Sequence, residues 1–234
     1  MNKYKVIGAS QISRDKWWEF TDNNENCNIF STPYIYDVWN VTPGYKSFAF
    51  FAIDENQEIQ GILTGDLETV SKGLLSNLST RAVLMQSPVA INDEALSDLL
   101  THYLHFMKGK AVYTEIRNNY DTLIQRNVYE NLGFKFEDHL NIISDLRLSE
   151  DELWKNINTT KRKSIRKAIK SSIIVKELDI SEFSEAYNIL EEVYRRIKLP
   201  LIPYNFLELA YKNNTSCSKI SLYLAFLNIY KIGA

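Results

Sequence analysis

Apolar residues in this chain change their period several times before residue 150. Continuous or alternating apolar runs at 4–7, 47–53, 59–70 and 82–90 predict strands, with polar turns at 54–57 and 71–73. Helices are predicted over 14–20 and 33–39, the second opened by Ser31 or Thr32 as cap and by Pro33 in its first turn. Leu96, Leu99, Leu100, Tyr103, Leu104 and Met107 recur at helical spacing and predict a helix over 93–107. A strand over 111–117, a short helix over 121–132 and a closing strand over 134–146 complete the order β-α-α-β-β-β-α-β-α-β. The three successive strands read as an antiparallel meander, and the whole as an α/β layer architecture around one mixed sheet.

The remaining residues repeat the start of that order. Phe183, Tyr187, Leu190, Val193, Tyr194 and Ile197 mark a helix, and Pro203-Tyr204 opens another ending near Leu209, as Pro33-Tyr34 opens one ending near Trp39. The run 222–227 stands where 50–53 stood. With Ala225 set on Ala52, 98 residues lie between Ala52 and position 150, whereas nine follow Ala225. The expectation is a complete domain at 1–150 and the start of a second at 151–234, cut off early. In such a fragment Leu222, Leu224 and Phe226 would form an exposed edge, a route to self-association.

Charge changes the picture at one place. Residues 153–170 hold seven of the 27 Lys and Arg in a chain of net charge −2, so positive charge is concentrated there. Glu150, Asp151 and Glu152 suit the positive end of a helix starting at that point. One continuous helix would align Trp154, Ile157, Ile165, Ala168 and Ile169 on an apolar face. Lys155, Arg162, Arg166 and Lys170 would form a stripe beside it, suited to phosphate or carboxylate. The plainer reading is a solvated basic face.

Composition excludes several classes. A hydrophobic content of 45% with 24% charged residues is that of a folded globular chain. The start lacks a signal-peptide core, and no stretch approaches the roughly 20 apolar residues of a membrane span, so a cytoplasmic location and no integral membrane segment are expected. Cys27 and Cys217 read as free thiols without metal-ligand spacing, and His102 and His105 fall on the flanks of a helix. No Walker loop, dinucleotide fingerprint or zinc-protease motif is present.

Glu115-Ile-Arg-Asn, Leu132-Gly-Phe, Asp138-His-Leu-Asn, Leu153-Trp and Lys161-Arg-Lys-Ser-Ile-Arg-Lys-Ala resemble the Fem-type aminoacyl transferases of peptidoglycan bridge formation and their relatives in polysaccharide gene clusters. The resemblance implies tandem GNAT-like domains and transfer of an acyl group to an amine. It implies a nucleotide- or lipid-linked anionic acceptor of the cell envelope or capsule, with aminoacyl-tRNA or an activated acyl compound such as acyl-CoA as donor. Arg162 and Arg166, then Lys163 and Lys167, are the first candidates for acceptor phosphates, because guanidinium forks match phosphate. Arg117, His139 and Asn141 are candidates near two closing strands; Arg117 reads alternatively as an ion-pair partner and His139 as a structural hydrogen bonder. Tyr36 and Trp39 are candidates for stacking on a base or sugar, or else core. Where CoA-binding domains carry a glycine-rich turn, residues 85–94 have no glycine and two acids, so no tightly bound cofactor is expected. The alternatives are a non-catalytic binder of anionic ligands, an acyl-CoA-dependent N-acetyltransferase, and RNA binding through the basic helix.

Overall fold

Phe48–Ile53 would be unlikely on a half-exposed strand, since six successive residues there are apolar; each is buried because helices cover both faces of the sheet at that strand. This is seen in a computed structural model that describes residues 3–69, 79–140, 143–213, 220–227 and 230–233. Its contacts divide the chain into two units, Met1–Phe136 and Glu137–Ala234.

In the first unit β1 (Lys5–Gly8), β2 (Tyr45–Ile53), β3 (Ile59–Thr69), β4 (Thr80–Leu84) and β6 (Thr114–Ile116) follow one another across the sheet. All neighbours are antiparallel except β4 and β6, and the short β5 (Val89–Ala90) pairs with β3. Helix α3 (Asp93–Met107) packs Leu96, Leu99, Leu100 and Tyr103 against Phe48, Phe50, Leu63, Ala82 and Leu84 on one face. On the other, α1 (Arg14–Asp22) buries Trp17 among Ala49, Phe51 and Ile62, and α2 (Pro33–Val41) lies over β2. Thr32 caps α2 with Pro33 in its first turn, as the sequence suggests. Trp17 is fully buried and its indole N–H donates to the Ser31 carbonyl at 2.6 Å, tying α1 to the segment that enters α2.

Three expectations before residue 171 need correction. The strand expected over 82–90 is broken, because Gln86 turns inward to bond Asn28 N and the Asn26 carbonyl, Ser87 bonds Asn118, and Pro88 has no N–H to give a ladder. The closing strand over 134–146 is not formed among its described residues. After α4 (Arg126–Asn131), Phe134 and Phe136 instead pack edge-on against Tyr129, while Leu140, Ile143 and Leu146 are exposed. By contacts the first unit ends at Phe136, within this segment. Third, the basic run is two helices, α5 (Glu150–Asn156) and α6 (Thr159–Lys170). Ile157 is extended and Asn158 caps α6 by accepting from Thr160 N at 2.8 Å, an alternative to helix continuation that a short amide side chain offers. Lys155 therefore leaves the stripe, and Arg162, Arg166 and Lys170 remain on α6.

The second unit continues with β7 (Ile173–Glu177), α7 (Phe183–Ile197), α8 (Tyr204–Lys212), β8 (Tyr223–Leu227) and β9 (Tyr230–Gly233). Its order β7-α7-α8-β8 repeats β1-α1-α2-β2. In both, the outer strands pair antiparallel: Ala52 faces Val6, and Ala225 faces Val175. The exposed edge expected at 222–229 is not found in its described part. β8 lies between β7 and β9, Leu224 is fully buried with Phe183 and Ala186, and Leu222 and Phe226 pack against that cluster.

Candidate active site

Strand alternation sends β3 residues 62, 64, 66 and 68 to the α1/α2 face, and the polarity of that face changes along its length. Ile62 is core, Thr64 is polar, and Asp66 and Glu68 are acidic. In register with them stand Ser47 on β2 (opposite Asp66) and Arg81 on β4 (opposite Glu68), with Glu115 on β6 beyond Val83. Arg81 reaches Glu68 at 2.6 Å and Glu115 at 3.7 Å, and Glu115 also pairs with Arg117 at 2.9 Å. One sheet face thus carries three carboxylates against two guanidiniums.

A depression of about 280 Å³, counting its open mouth, lies over Asp66; Tyr36, Trp39, Ser47, Thr64 and Met85 line it. Asp66 is 1% exposed. The hydroxyls beside it are committed elsewhere, Ser47 donating to the Tyr36 carbonyl and Thr64 to the Phe30 carbonyl, each at 2.9 Å. Asp66 Oδ2 is consequently buried with no hydrogen-bond partner, an unusual and costly state for a carboxylate. Burial foremost, with Glu68 adding to it against the pull of Arg81 and Arg117, pushes the Asp66 carboxyl up to about 8. Trp39 lies tilted against the Tyr45 ring at 4.4 Å, and burial first, then Glu68 and Asp66, pushes that phenol up to about 12. An acid poised near neutrality in an aromatic-walled depression can take a proton from, or hold, a cationic nitrogen.

Of the residues singled out from sequence, Tyr36 and Trp39 come together at this depression, and Arg117 joins the same face, close enough to lower the Asp66 carboxyl while paired with Glu115. His139 belongs to the second unit and is exposed; Asn141 lies outside the described residues. Arg162, Lys163, Arg166 and Lys167 lie on α6, also in the second unit. Arg162 donates to the Trp154 and Lys155 carbonyls at the end of α5 and to Thr159, and Arg166 lies over the Trp154 ring at 5.5 Å. Asp66, Glu68 and Arg81 were not singled out. The signal for Asp66 was present, as a lone acid amid the apolar run Ile62-Leu-Thr-Gly-Asp-Leu at a position facing a helix layer.

Among the described residues no group of His, Cys, Asp and Glu is arranged to hold a metal ion. Cys27 is a free thiol that burial pushes up to about 11, which suppresses the thiolate. Burial and neighbouring His105 lower His102, whose ring packs edge-on to Phe50. No described helix is long and apolar enough to cross a membrane.

No family model matches the chain, and no curated protein matches it in sequence. Among solved structures, FemX superposes with a TM-score of 0.65 over 94% of this chain at 17% identity, the match covering 57% of FemX. The chain spans a little over half the length of that structure. A probable acetyltransferase matches 60% of this chain at 18% identity with a TM-score of 0.39, covering 99% of its own length. An aminoglycoside antibiotic 6'-N-acetyltransferase, AAC(6')-Ih from Acinetobacter baumannii, matches 60% of this chain at 9% identity with a TM-score of 0.40, covering 97% of its own length. The fold is mixed α/β and is similar to that of FemX.

Proposed function

We propose that this chain transfers an acyl or aminoacyl group to an amine, with the Asp66 depression as the amine site. The observation that carries the reading is the buried Asp66 Oδ2 without a donor. An acceptor amine N–H directed at that oxygen would satisfy it. An amine attacks a carbonyl only after losing a proton, and a carboxyl near pH 8 is well matched to take it. As the new C–N bond forms, the bond from the acyl carbon to the donor's oxygen or sulfur breaks, and the proton held by Asp66 is available to the leaving group. Arg81 and Arg117 moderate the carboxyl, while Tyr36 and Trp39 border the depression beside the amine.

The acceptor in this reading is an anionic, nucleotide- or lipid-linked precursor of cell-envelope or capsular polysaccharide in the cytoplasm. Arg162, Lys163, Arg166 and Lys167 are proposed for phosphate contacts on charge grounds alone, with His139 and Asn141 as further candidates. Aminoacyl-tRNA is the donor in this reading, with acyl-CoA the alternative that a saturable CoA-dependent thermal shift would favour; no tightly bound cofactor is involved.

The test is single-turnover transfer of labelled aminoacyl groups to a UDP-linked muropeptide by the wild type and Asp66→Asn. The expected result is transfer that rises with pH to about 8 in the wild type and falls by about 10²-fold or more in the variant. Acceptor binding without transfer by the wild type would replace the enzyme with a non-catalytic binder. Equal transfer by the two proteins would remove Asp66 from the reaction.

A further inference from the structure

Helix α6 is amphipathic without a core to serve. Six of its twelve residues are Lys or Arg and none is acidic, and none of the twelve is buried. Its apolar residues nevertheless share one side. Ile165 and Ile169 are one turn apart with Ala168 beside them, Lys161 precedes Ile165 by one turn, and Arg162 and Arg166 flank the pair. Ile165 is 37% exposed and Ile169 68%.

A helix kept soluble by charge alone has no use for two exposed isoleucines at that spacing. A site for free phosphate would leave them equally uncovered. A surface that is anionic outside and apolar just beneath satisfies both features, because Lys and Arg remain among headgroups while the isoleucines enter the boundary of the acyl chains.

We propose that α6 docks the protein on anionic phospholipid membranes, lying in the plane of the interface with Ile165 and Ile169 toward the lipid. The proposal does not depend on the transfer reaction. Lys161 and Arg166, beside the isoleucines, set the depth of the helix. Lys163 and Lys167, on its opposite side, add attraction over the Debye length.

The test is co-sedimentation of the full chain with vesicles of phosphatidylcholine alone and of phosphatidylcholine with phosphatidylglycerol, at moderate and high salt. Binding is expected only to the vesicles containing phosphatidylglycerol, and is weakened by high salt. Lys161→Gln with Lys170→Gln should weaken it by about thirtyfold, given the typical attraction per basic residue near such a surface. Ile165→Ser with Ile169→Ser keeps every charge and should still weaken binding by about tenfold. Circular dichroism checks that both variants keep their helices. Undiminished binding by the isoleucine variant would overturn insertion and leave only counter-charge. Binding to a single-stranded RNA homopolymer with none to anionic vesicles would overturn the lipid assignment altogether.

Discussion

Ser47 stands directly across from Asp66 in the β2–β3 register, yet its hydroxyl donates to the Tyr36 carbonyl at 2.9 Å and gives the carboxylate nothing. The bond fixes α2, and with it Tyr36 and Trp39, over the strand pair. The same bond commits a neighbouring hydroxyl away from Asp66, whose Oδ2 has no hydrogen-bond partner. Ser47→Ala, which frees the Tyr36 carbonyl and loosens this side of the depression, should cost about 1 kcal/mol in denaturant unfolding. It should also weaken acceptor binding, and an unchanged unfolding midpoint would deny the hydroxyl its fixing role.

The Asp66 carboxyl makes stability pH-dependent in a definite direction. Its folded-state value is about 8, against 3.8 for an unperturbed group, so the folded protein binds more protons than the unfolded chain between those limits. Its contribution is full below about pH 4, declines as pH rises to about 8, and is constant beyond. The decline amounts to several kcal/mol, each worth roughly 2–4 °C in Tm for a chain of this size. Asp66→Asn removes the titration. Thermal melts at pH 5 and pH 8.5 should show the wild type losing more than the variant, and parallel losses would contradict a buried, unpaired acid.

Gly65, next to Asp66, faces the opposite layer. A Cβ there would come within 2.6 Å of Phe48 and 2.7 Å of the Val83 carbonyl, and the latter belongs to the neighbouring strand and has no rotamer with which to retreat. Gly65→Ala should destabilise the protein by about 1–3 kcal/mol and shift β3 under the depression. Denaturant unfolding measures the first effect. An unaltered midpoint would mean that β3 and β4 separate more easily than their ladder implies.

How much of this was legible in advance follows from which forces are local. Caps and helical periods are written in neighbouring residues, so α2, α3, α7 and α8 could be read closely, as could the repeat that brings Ala225 opposite Val175 as Ala52 lies opposite Val6. The β4 break could not, because it depends on Gln86 bonding to Asn26 and Asn28, some 60 positions away. Asn158 was a local signal outweighed by the apparent continuity of the basic run. The candidate site divides in the same way. Tyr36 and Trp39 were visible as aromatic residues one turn apart, but their place beside Asp66 depends on a different strand, and that strand pairing is not written near either.

The first turn of α3 is unwelcoming to phosphate. Asn92 already caps it, accepting from Ala95 N at 2.9 Å, and Asp93 and Glu94 place negative charge at the helix end that attracts anions. Acetyl-CoA should therefore leave the melting temperature unchanged. A ligand at 100 times its dissociation constant would add about 2.7 kcal/mol. A saturable shift would show that CoA, if bound, does not rely on this turn.

The two arginines of α6 separate by role. Arg162 spends its guanidinium on the last carbonyls of α5 and on Thr159, so Arg162→Ala should fray α5 and cost about 1 kcal/mol at most in stability. Arg166 lies over Trp154, a contact at an exposed site worth roughly 0.5–1 kcal/mol. If the pair meets acceptor phosphates, Arg166→Ala should weaken calorimetric binding of a UDP-linked muropeptide, and Arg166→Lys should restore charge without the guanidinium fork. Partial rescue by lysine would identify a point-charge contact, and failed rescue a forked one. Unchanged affinity in both Arg166 variants would return α6 to other duties than holding the acceptor.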